Sequence, residues 1–543
     1  MIPAAPPTPS ASSTPRTPNG SARATLLLLT VAFVAQMVVQ SVLFPVFRAP
    51  DEANHVDMAR HTGMALMGGG GEVVHRPDAV RPISQAVTRA RALSGLSGAP
   101  GQMPPREAAA APPRPERPSF AALASGEATQ ARNQMTQHPP AYYLLAGALA
   151  APLERAGTPY DLQVVLLRLL GVALMAVLPA AAWWTAGRLG ADRAGRTVAA
   201  LVPCAIPMVA HIGASVNSDV LVVALMGLLT PLLLRVAQRP RVSWWLAIAV
   251  GVLAGAALLT KGFALVTLPW LALAFLVGVR RGSVLRRLAQ LFVAAALALA
   301  GGGWWWLRNL LVLGEVQPSH ASVGLAPADF IPDWGWWAGF AAQRFLRRFW
   351  IEPDTVQQVP PWEAVAALLL VAGLAYGSWR ALRRRRGASL LVALLPAVLL
   401  LGIVGWGAAQ AYVDTGRPFG LNGRYLFGAL PGIAGVVGLV TGTRARALAA
   451  LLTAAVVTAG MQAWAWTAAL GFYWGTQSPG PADELRAVAA WSPLPPALVG
   501  AAAVLAPLAL LAALARELRG AARGSGSIAV SYRLGARETR ETS

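Results

Sequence analysis

The chain has 543 residues, of which 55% are hydrophobic and 13% charged, and its formal net charge is +21. Apolar runs recur at the length needed to cross a bilayer core, about 20 residues of helix, and backbone polar groups must pair internally in lipid. We therefore predict an all-α integral membrane protein. Its basic residues lie in short loops between apolar runs, which is typical of cytoplasmic loops and excludes a nucleic-acid-binding protein.

The amino-terminal part combines a tail and a first span. Residues 1–23 are rich in Pro, Ser, Thr and Ala, which predicts a disordered cytoplasmic tail. The apolar run Thr25–Phe44 is longer than a typical signal-peptide core and has no clear small-residue cleavage site. We predict an uncleaved span at the start of a membrane domain that extends over residues 24–515.

Two adjacent carboxylates, Asp51 and Glu52, follow this span in the stretch RAPDEANH. They open a long predicted outer loop, residues 45–137, whose middle is rich in Pro and Ala. The pair suits the N-terminus of an interfacial helix, and it also suits catalysis. Glu52 and His55, three residues apart, have a spacing that is only weakly specific for metal ligands, so we predict no metal site.

A short apolar stretch begins after His138, in the sequence HPPAYYLL. It has about 14 residues, fewer than a span requires. If it crossed the membrane, the arginines at 188, 193 and 196 would face outward, against the positive-inside rule. We therefore predict a re-entrant or interfacial segment at 138–153.

The other apolar runs alternate across the membrane, with arginine-rich loops inside and both termini cytoplasmic. They predict about twelve transmembrane helices, a second large outer loop at 308–361 and a cytoplasmic tail at 516–543. The predicted spans are 25–44, 163–187, 198–212, 219–235, 244–260, 263–279, 288–306, 362–379, 388–410, 424–441, 447–470 and 494–515.

The second outer loop contains the tryptophan-rich stretch DWGWWAGFAAQRFLRRFW. Its aromatic residues fall on one helical stripe and Arg344, Arg347 and Arg348 on another, which predicts an amphipathic helix in the membrane interface. Two interpretations are open. The tryptophans anchor the helix while the arginines are solvated, or the arginines hold a lipid phosphate.

Polar side chains collect at the outer ends of the predicted spans. Ionisable groups at membrane depth are costly and indicate function, and cations facing a carboxylate suit a phosphorylated lipid substrate. These side chains are Asp51, Glu52, His138, Arg168, Asn217, Asp219, Lys261, Arg308 and Arg424.

Several of them also have a purely structural interpretation. Lys261, the only lysine of the chain, suits an interfacial position with its ammonium group reaching the headgroups. Asn217 and Asp219 are good turn and N-cap residues. His138 before two prolines suits the start of a helical segment. Both interpretations stay open at each position.

The order of several motifs resembles the GT-C superfamily of membrane glycosyltransferases, most closely a bacterial branch known only as a domain of unknown function. The carboxylate pair and HPPAYYLL are followed by an arginine in the second span. NSDVLVVAL, LLTKGFALVTLPW, WWWLRNLLVLGE and NGRYLFGALP extend the resemblance to residue 431. The superfamily includes protein O-mannosyltransferases and the lipid A aminoarabinose transferase.

The resemblance implies transfer of a sugar from a polyprenyl-phosphate donor to an acceptor hydroxyl of a cell-envelope glycan, lipid or protein. It places the site on the extracytoplasmic face of a bacterial inner membrane. Asp51 is the first choice for the catalytic base and Glu52 the second. Lys261, Arg308 and Arg424 are the candidates for the donor phosphate. The candidates for the sugar or acceptor pocket are His55, His138, Tyr142, Arg168, Asn217, Asp219 and Tyr425.

We expect no cofactor to be required, and a need for a divalent cation stays open. The alternative function is a transporter or flippase of a lipid-linked or anionic substrate. A coupled carrier is expected to place its ionisable sites near the middle of the membrane. The outer position of the polar groups therefore favours an enzyme that works at one face.

Overall fold

The protein is an almost entirely helical membrane protein, as predicted. A computed structural model describes residues 20–78, 81–94, 112–125, 131–279, 283–318, 325–351, 361–475 and 480–538. Within these residues the only strands are two segments of two residues each. The predicted tail at 1–23 lies outside the described residues except for its last four positions, which begin the first helix.

The first span is followed by a small helical subassembly. Its order is α1 (Gly20–Leu43), α2 (Glu52–Leu66), β1 (Arg81–Pro82), α3 (Gln85–Leu93), β2 (Arg132–Asn133) and α4 (Ala141–Arg155). The strands pair antiparallel, with Arg81 opposite Asn133. Helices α2 and α4 pack closely because Gly63 faces Gly147, and a Cβ at Gly63 would lie 2.9 Å from the Gly147 oxygen.

The next helices form the first part of the membrane bundle. They are α5 (Tyr160–Met175), α6 (Leu178–Leu189), α7 (Arg193–Ala205), α8 (Pro207–Gly213), α9 (Asp219–Gln238), α10 (Trp244–Leu258), α11 (Thr267–Val279), α12 (Val284–Ala298) and α13 (Trp304–Leu313). Helices α5 and α6 form one span, and α12 and α13 form another through a π-helical turn. Helices α7 and α8 meet at an angle of 66°, because Pro207 cannot donate a helical hydrogen bond.

The remaining helices are α14 (Trp334–Trp350), α15 (Pro361–Arg383), α16 (Gly387–Thr415), α17 (Leu430–Val437), α18 (Arg444–Trp474), α19 (Pro481–Trp491) and α20 (Pro496–Glu538). Helix α14 confirms the helix predicted in the second outer loop. A 3₁₀ segment, Gly423–Ala429, leads into α17. Helix α20 packs along α1 and continues through residues predicted as a tail, so the last span and the start of that tail are one helix.

Nine helices of the described residues are long and apolar enough to cross a membrane, and the bent pair α7–α8 makes ten. At the predicted spans 244–260 and 263–279 the described chain has two shorter apolar helices, Trp244–Leu258 and Gly262–Gly278. The count of twelve therefore stays a prediction. Helix α4 is not among the candidate spans of the described residues, and the re-entrant or interfacial position of 138–153 stays a prediction.

Three of the arginines predicted to be cytoplasmic, Arg188, Arg193 and Arg386, lie at one end of the bundle. Arg193 forms an ion pair with Glu517 at 2.8 Å, and the Thr25 hydroxyl donates to Glu517 at 2.7 Å. Arg386 donates to the Arg188 carbonyl at the same end. These contacts bring the ends of α1, α7 and α20 together, while the polar residues considered below lie at the opposite end.

Candidate active site

The turn between α1 and α2 holds the two adjacent carboxylates in a constrained backbone. Phe47 and Asp51 have φ values of 68° and 58°, a left-handed conformation that is uncommon for residues other than glycine. The Phe47 side chain is buried and its ring stacks on Tyr160, with centroids 6.5 Å apart. Such backbone outliers persist where the surrounding structure fixes them, and they cluster at functional sites.

Glu52 is fully buried and accepts four hydrogen bonds. Arg168 donates from Nε to one carboxylate oxygen at 2.8 Å and from Nη2 to the other at 2.6 Å. The backbone N–H groups of Phe47 and Val216 donate to the same two oxygens at 2.7 and 3.0 Å. This bidentate pair occupies Glu52 completely, and it joins the turn after α1 to α5 and to the segment before α9.

Arg168 uses its remaining donors on the backbone of the turn. Its Nη1 donates to the carbonyls of Ser41 and Phe44 at 2.7 Å each, and its Nη2 donates to Pro45 at 3.0 Å. These carbonyls include groups at the end of α1 that lack helical partners. Arg168, predicted in the sugar or acceptor pocket, thus holds the backbone that leads to Asp51.

Asp51 differs from its neighbour because its side chain is 47% exposed. It occupies the N-cap position of α2, but its carboxylate does not accept a capping hydrogen bond. Arg424 Nη2 donates to its Oδ2 at 3.4 Å. Asp51 is therefore an accessible carboxylate in contact with a buried cation.

Asp219, Lys261 and Arg424 form a buried charged cluster beside Asp51. The Lys261 ammonium donates to Asp219 Oδ1, and Arg424 Nε lies 3.6 Å from Asp219 Oδ2. All three side chains are less than 10% exposed. With Asp51 the cluster contains two carboxylates and two cations, and Arg424 touches both carboxylates.

Asn217 fixes the turn before α9 against this site. Its side-chain oxygen accepts from the backbone N–H of Asp219 at 2.8 Å, and its Nδ2 donates to the Pro50 carbonyl at 3.4 Å. One amide thus positions Asp219 and contacts the residue before Asp51. This agrees with the turn-forming interpretation of Asn217, and it also brings Asn217 to the site.

Histidine and tyrosine rings form the wall next to the cluster. His55 Nδ1 lies 2.9 Å from the Tyr143 hydroxyl, and the His55 ring stacks on His138 with centroids 6.4 Å apart. Tyr142 packs edge-on against His55. Burial, followed by the charge of Lys261, holds the pKa of His55 well below its usual value and lowers the pKa of His138 to about 3. Both imidazoles are therefore neutral at pH 7.

Two residues of this wall were not predicted from the sequence. His75 Nε2 lies 2.7 Å from the His138 carbonyl oxygen, and its ring packs against Tyr143 and Trp305. Burial lowers the pKa of His75, although the hydrogen bond to His138 opposes this. The sequence around His75 contains no motif that would have pointed to it. Tyr143 stands in HPPAYYLL beside the predicted Tyr142, so this motif was a signal for it.

Tyr425 lies over the cations of the cluster. Its ring centroid is 5.8 Å from Lys261 Nζ and 5.5 Å from the Arg424 guanidinium carbon. Its hydroxyl accepts from Asn422 at 3.1 Å, and its ring packs on Phe263 at 4.5 Å. The electron-rich ring faces stabilise the two cations and leave Tyr425 at the edge of the site.

Arg308 occupies a different place from the other two cations. It is half-buried on α13, and its charge acts on Asp78 in the outer loop. In the described part of the chain, no hydrogen bond or ion pair joins it to Asp51, Asp219 or Arg424. The structure thus brings Lys261 and Arg424 together and leaves Arg308 outside their cluster.

Helix α14 covers the Arg424 segment. Arg348 Nη1 donates to the Asn422 side-chain oxygen at 2.5 Å, and Phe349 packs edge-on against Phe427. A Cβ at Gly423 would lie 2.4 Å from the Phe345 carbonyl oxygen, so this close approach requires glycine. The arginine stripe of α14 is therefore only partly solvated, and binding of a lipid phosphate there stays a prediction.

The described residues contain no group of three or more His, Cys, Asp or Glu side chains placed to hold a metal ion. The spacing of Glu52 and His55 does not make a pair of ligands, because Arg168 and two backbone N–H groups occupy both oxygens of Glu52. His55 is also engaged, through Nδ1, with Tyr143.

Residues 161–306 match the family model for dolichyl-phosphate-mannose-protein mannosyltransferases. This range includes Arg168, Asn217, Asp219 and Lys261 of the site, whereas Asp51 lies before it. A comparison with curated proteins gives no match.

Solved structures of two membrane proteins resemble the chain at low identity. ArnT from Cupriavidus metallidurans bound to undecaprenyl phosphate is 16% identical, with a TM-score of 0.45 over 92% of this chain and 78% of that chain. Archaeal oligosaccharyltransferase AglB from Archaeoglobus fulgidus, in complex with an inhibitory peptide and a dolichol-phosphate, is 11% identical. Its TM-score is 0.37 over 90% of this chain and 56% of that chain. These values are too low to transfer roles to individual residues.

The matched family is described as one of mannosyltransferases, and its model covers residues 161–306 of the chain. The predicted resemblance to membrane glycosyltransferases is therefore confirmed over this part of the chain. The bacterial branch named from the motifs is not among these findings and stays a prediction.

Proposed function

We propose that this chain is a membrane glycosyltransferase that moves a sugar from a polyprenyl-phosphate carrier to an acceptor hydroxyl. The observation that carries the proposal is the contact between Asp51 and Arg424. It sets an accessible carboxylate beside a buried cluster that contains two cations. A general base and fixed positive charge are what displacement of a lipid phosphate requires. The family matched over 161–306, named for a dolichyl-phosphate sugar donor, supports the same donor class.

The proposed reaction is a single displacement that inverts the anomeric carbon. The acceptor hydroxyl attacks this carbon while Asp51 takes its proton. The new bond from oxygen to carbon forms as the bond from the anomeric carbon to the phosphate oxygen breaks, and the polyprenyl phosphate leaves as an anion. Lys261 and Arg424 are the cations of the site that stabilise the charge developing on the leaving oxygen.

The buried carboxylates have supporting roles in this proposal. Asp219 holds Lys261 and Arg424 near each other in the absence of substrate. Glu52, bound by Arg168, fixes the turn that presents Asp51, so we assign it to positioning the base. Neutral His55 and His138, with Tyr142 and Tyr425, line the proposed pocket for the sugar or acceptor and offer both donors and acceptors to hydroxyl groups.

The positive-inside rule supports an extracytoplasmic site, because the arginine-rich loops lie at the other end of the bundle. We propose the same multi-pass arrangement in a bacterial inner membrane, with both termini cytoplasmic. No cofactor enters the proposed reaction. A chelator is therefore expected to leave the rate of sugar transfer unchanged. If the chelator abolished transfer and Mg²⁺ or Mn²⁺ restored it, the reaction would require a divalent cation.

The test is sugar transfer in membranes that contain the chain, with a panel of radiolabelled polyprenyl-phosphate sugars as donors. At least one donor is expected to yield a labelled acceptor with wild-type protein and none with Asp51→Asn. Absence of transfer from every donor, despite folded protein in the membrane, would contradict the proposal. Movement of an intact labelled donor across the membrane would instead support the transporter or flippase alternative.

A further inference from the structure

A cavity of about 430 Å³ lies where α10 and α12 begin, and three arginines line it. Arg241 lies just before α10, and Arg286 and Arg287 lie in the first turn of α12. Gln238, at the end of α9, donates to the Arg188 carbonyl at 2.9 Å. The cavity is therefore at the arginine-rich end of the bundle, opposite the candidate active site, and its volume suits a group of small-molecule size.

Hydrogen bonds from buried side chains fix the walls of this cavity. The buried guanidinium of Arg287 donates to the Val236 carbonyl at 2.9 Å and to the Arg239 carbonyl, both near the end of α9. Gln290, also buried, donates to the Val242 carbonyl at 2.9 Å. These contacts join the start of α12 to the chain between α9 and α10. The cavity is therefore part of the packed bundle rather than a gap between free loops.

The charge around the cavity is positive. Residues 220–314 contain no Asp or Glu, and no acidic side chain is among the described residues that line it. Arg241 and Arg286 are both exposed, so a ligand can reach their guanidinium groups. Guanidinium groups bind phosphate through paired N–H donors, whereas an ammonium group finds no carboxylate partner in this lining. The cavity therefore favours an anion, and a phosphate in particular.

The surface next to the cavity is apolar and exposed. Leu285, Leu288 and Phe292 follow one face of α12, here termed the α12 stripe, and all three are exposed, Leu285 to 79%. Trp245, in the first turn of α10, is 80% exposed, and exposed tryptophans are typical of the interface between membrane and water. The arginines therefore lie where a bilayer-facing apolar surface ends, which is the level of the lipid headgroups.

We propose that this cavity, here termed the α10–α12 site, binds the headgroup of a phospholipid with a net negative charge. The lipid phosphate meets Arg241 and Arg286, the buried charge of Arg287 adds to theirs, and an acyl chain lies along the α12 stripe. Basic pockets between transmembrane helices are known to bind anionic headgroups on the cytoplasmic side. A soluble phosphate would contact the arginines but not the stripe, so the apolar surface favours the lipid.

The proposal concerns binding alone and does not depend on the proposed glycosyl transfer. Its test is photo-crosslinking of full-length protein in phosphatidylcholine nanodiscs that contain a small fraction of a probe lipid. The probe is phosphatidylglycerol with a diazirine in one acyl chain, and phosphatidylcholine with the same chain is the matched control. Phosphatidylglycerol is expected to label peptides of α12 several-fold more, because only the headgroup differs. Equal labelling by the two lipids would overturn the proposal.

Three variants separate the α10–α12 site from the general positive charge of this end. Arg241→Gln and Arg286→Gln are each expected to lower phosphatidylglycerol labelling about fivefold, the contribution of one arginine near a membrane surface. Arg383, the last residue of α15, is likewise exposed at this end but does not line the site. Arg383→Gln is therefore expected to leave labelling of α12 unchanged. An equal loss in all three variants would overturn the site.

A competitor separates a lipid from a free phosphate. sn-Glycerol 3-phosphate carries the phosphate and glycerol of the lipid but has no acyl chain. In large excess it is expected to leave phosphatidylglycerol labelling unchanged, because it makes no contact with the α12 stripe. Unlabelled phosphatidylglycerol is expected to compete in proportion to its share of the nanodisc lipid. Displacement of the probe by sn-glycerol 3-phosphate would overturn the lipid assignment and identify a site for a soluble phosphate.

Discussion

Asp51 and Glu52 are adjacent in the chain, yet the Asp51 side chain is 47% exposed and that of Glu52 is 0% exposed. The left-handed backbone at Asp51 separates them, because α2 starts at the next residue and turns Glu52 toward Arg168. One carboxylate is thereby committed to the fold and the other is left accessible beside Arg424. The two are expected to respond differently to mutation.

Asp51→Asn is expected to lower kcat for sugar transfer at least 100-fold, because an amide cannot act as a general base. Asparagine tolerates the left-handed backbone that Asp51 adopts, so the fold is expected to persist. Donor affinity, measured as binding of the polyprenyl-phosphate sugar to purified protein, is expected to change little. The matched control is Asp483→Asn, which removes an exposed carboxylate that also pairs with an arginine, Arg486. Transfer at the wild-type rate by the Asp51 variant would remove Asp51 as the base.

Glu52→Gln is expected to destabilise the protein by about 3–5 kcal/mol, because it leaves the buried guanidinium of Arg168 without a compensating charge. Thermal unfolding in detergent measures this as a lower Tm, and Asp51→Asn serves as the control with a small shift. Arg168→Gln is expected to have a similar effect. The double variant should lose less than the sum of the two, since both remove one pair. Additive losses would show that the pair is not coupled.

Lys261→Gln is expected to raise KM for the donor about tenfold or more, since a hydrogen bond to a charged group contributes about 1.5–3 kcal/mol. Lys261→Arg keeps the charge and is expected to restore part of the affinity. Arg308→Gln is the informative comparison, because Arg308 lies near Asp78 and outside the cluster. Its effect on KM is expected to be smaller. An equal or larger effect of Arg308→Gln on KM would show that Arg308 also binds the donor phosphate.

Acid is expected to destabilise the protein through its buried histidines. Burial and then Lys261 lower the pKa of His138 from 6.5 to about 3. Between these values the unfolded chain binds a proton that the folded chain does not, so the contribution is fully present above about pH 6.5 and is lost as the pH falls. At pH 5 the loss from His138 is about 2 kcal/mol. Thermal unfolding of wild type and His138→Asn at pH 7 and pH 5 measures it, and an equal loss in both proteins would contradict this account.

Gly423→Ala is expected to disturb the packing of α14 on the Gly423–Ala429 segment. The added Cβ would lie 2.4 Å from the Phe345 carbonyl oxygen and 2.5 Å from Phe349 Cβ. Overpacking of this kind costs about 1–3 kcal/mol. It would also shift the neighbouring Arg424, so transfer is expected to fall together with Tm. Gly402→Ala on α16 is the control, because its Cβ would meet no atom within 4 Å. A Tm and a transfer rate equal to those of wild type for Gly423→Ala would show that α14 can shift to accommodate the added methyl group without disturbing Arg424.

The helices were predictable from the sequence wherever the length of an apolar run decides where a helix forms. Helix α9 spans Asp219–Gln238, close to the predicted 219–235, and α14 spans Trp334–Trp350, as its stripe of aromatic residues indicated. The bend between α7 and α8 was not predicted, although Pro207 stands at it. Hydropathy reports how much apolar chain is present, but the direction in which a broken helix continues depends on what it packs against.

The sequence predicted which residues belong to the candidate site better than it predicted the role of each residue. Ionisable residues at outer helix ends stand out against an apolar sequence, which is why Asp219, Lys261 and Arg424 were expected to meet. His75 was not expected, because it lies in a loop whose path depends on the packing of α2 and α4. Nor does the sequence distinguish Lys261 from Arg308, since both are single cations after an apolar run.

By itself, the sequence determined that this chain is a helical membrane protein whose candidate site carboxylates and cations lie at one end, because hydropathy and charge act over short segments. Only the tertiary structure decided which carboxylate pairs with which arginine. Glu52 reaches Arg168 and Asp51 reaches Arg424, and these partners are separated by more than a hundred residues along the chain. Burial follows from such long-range contacts, and burial is what makes one carboxylate a structural anchor and leaves the other available for chemistry.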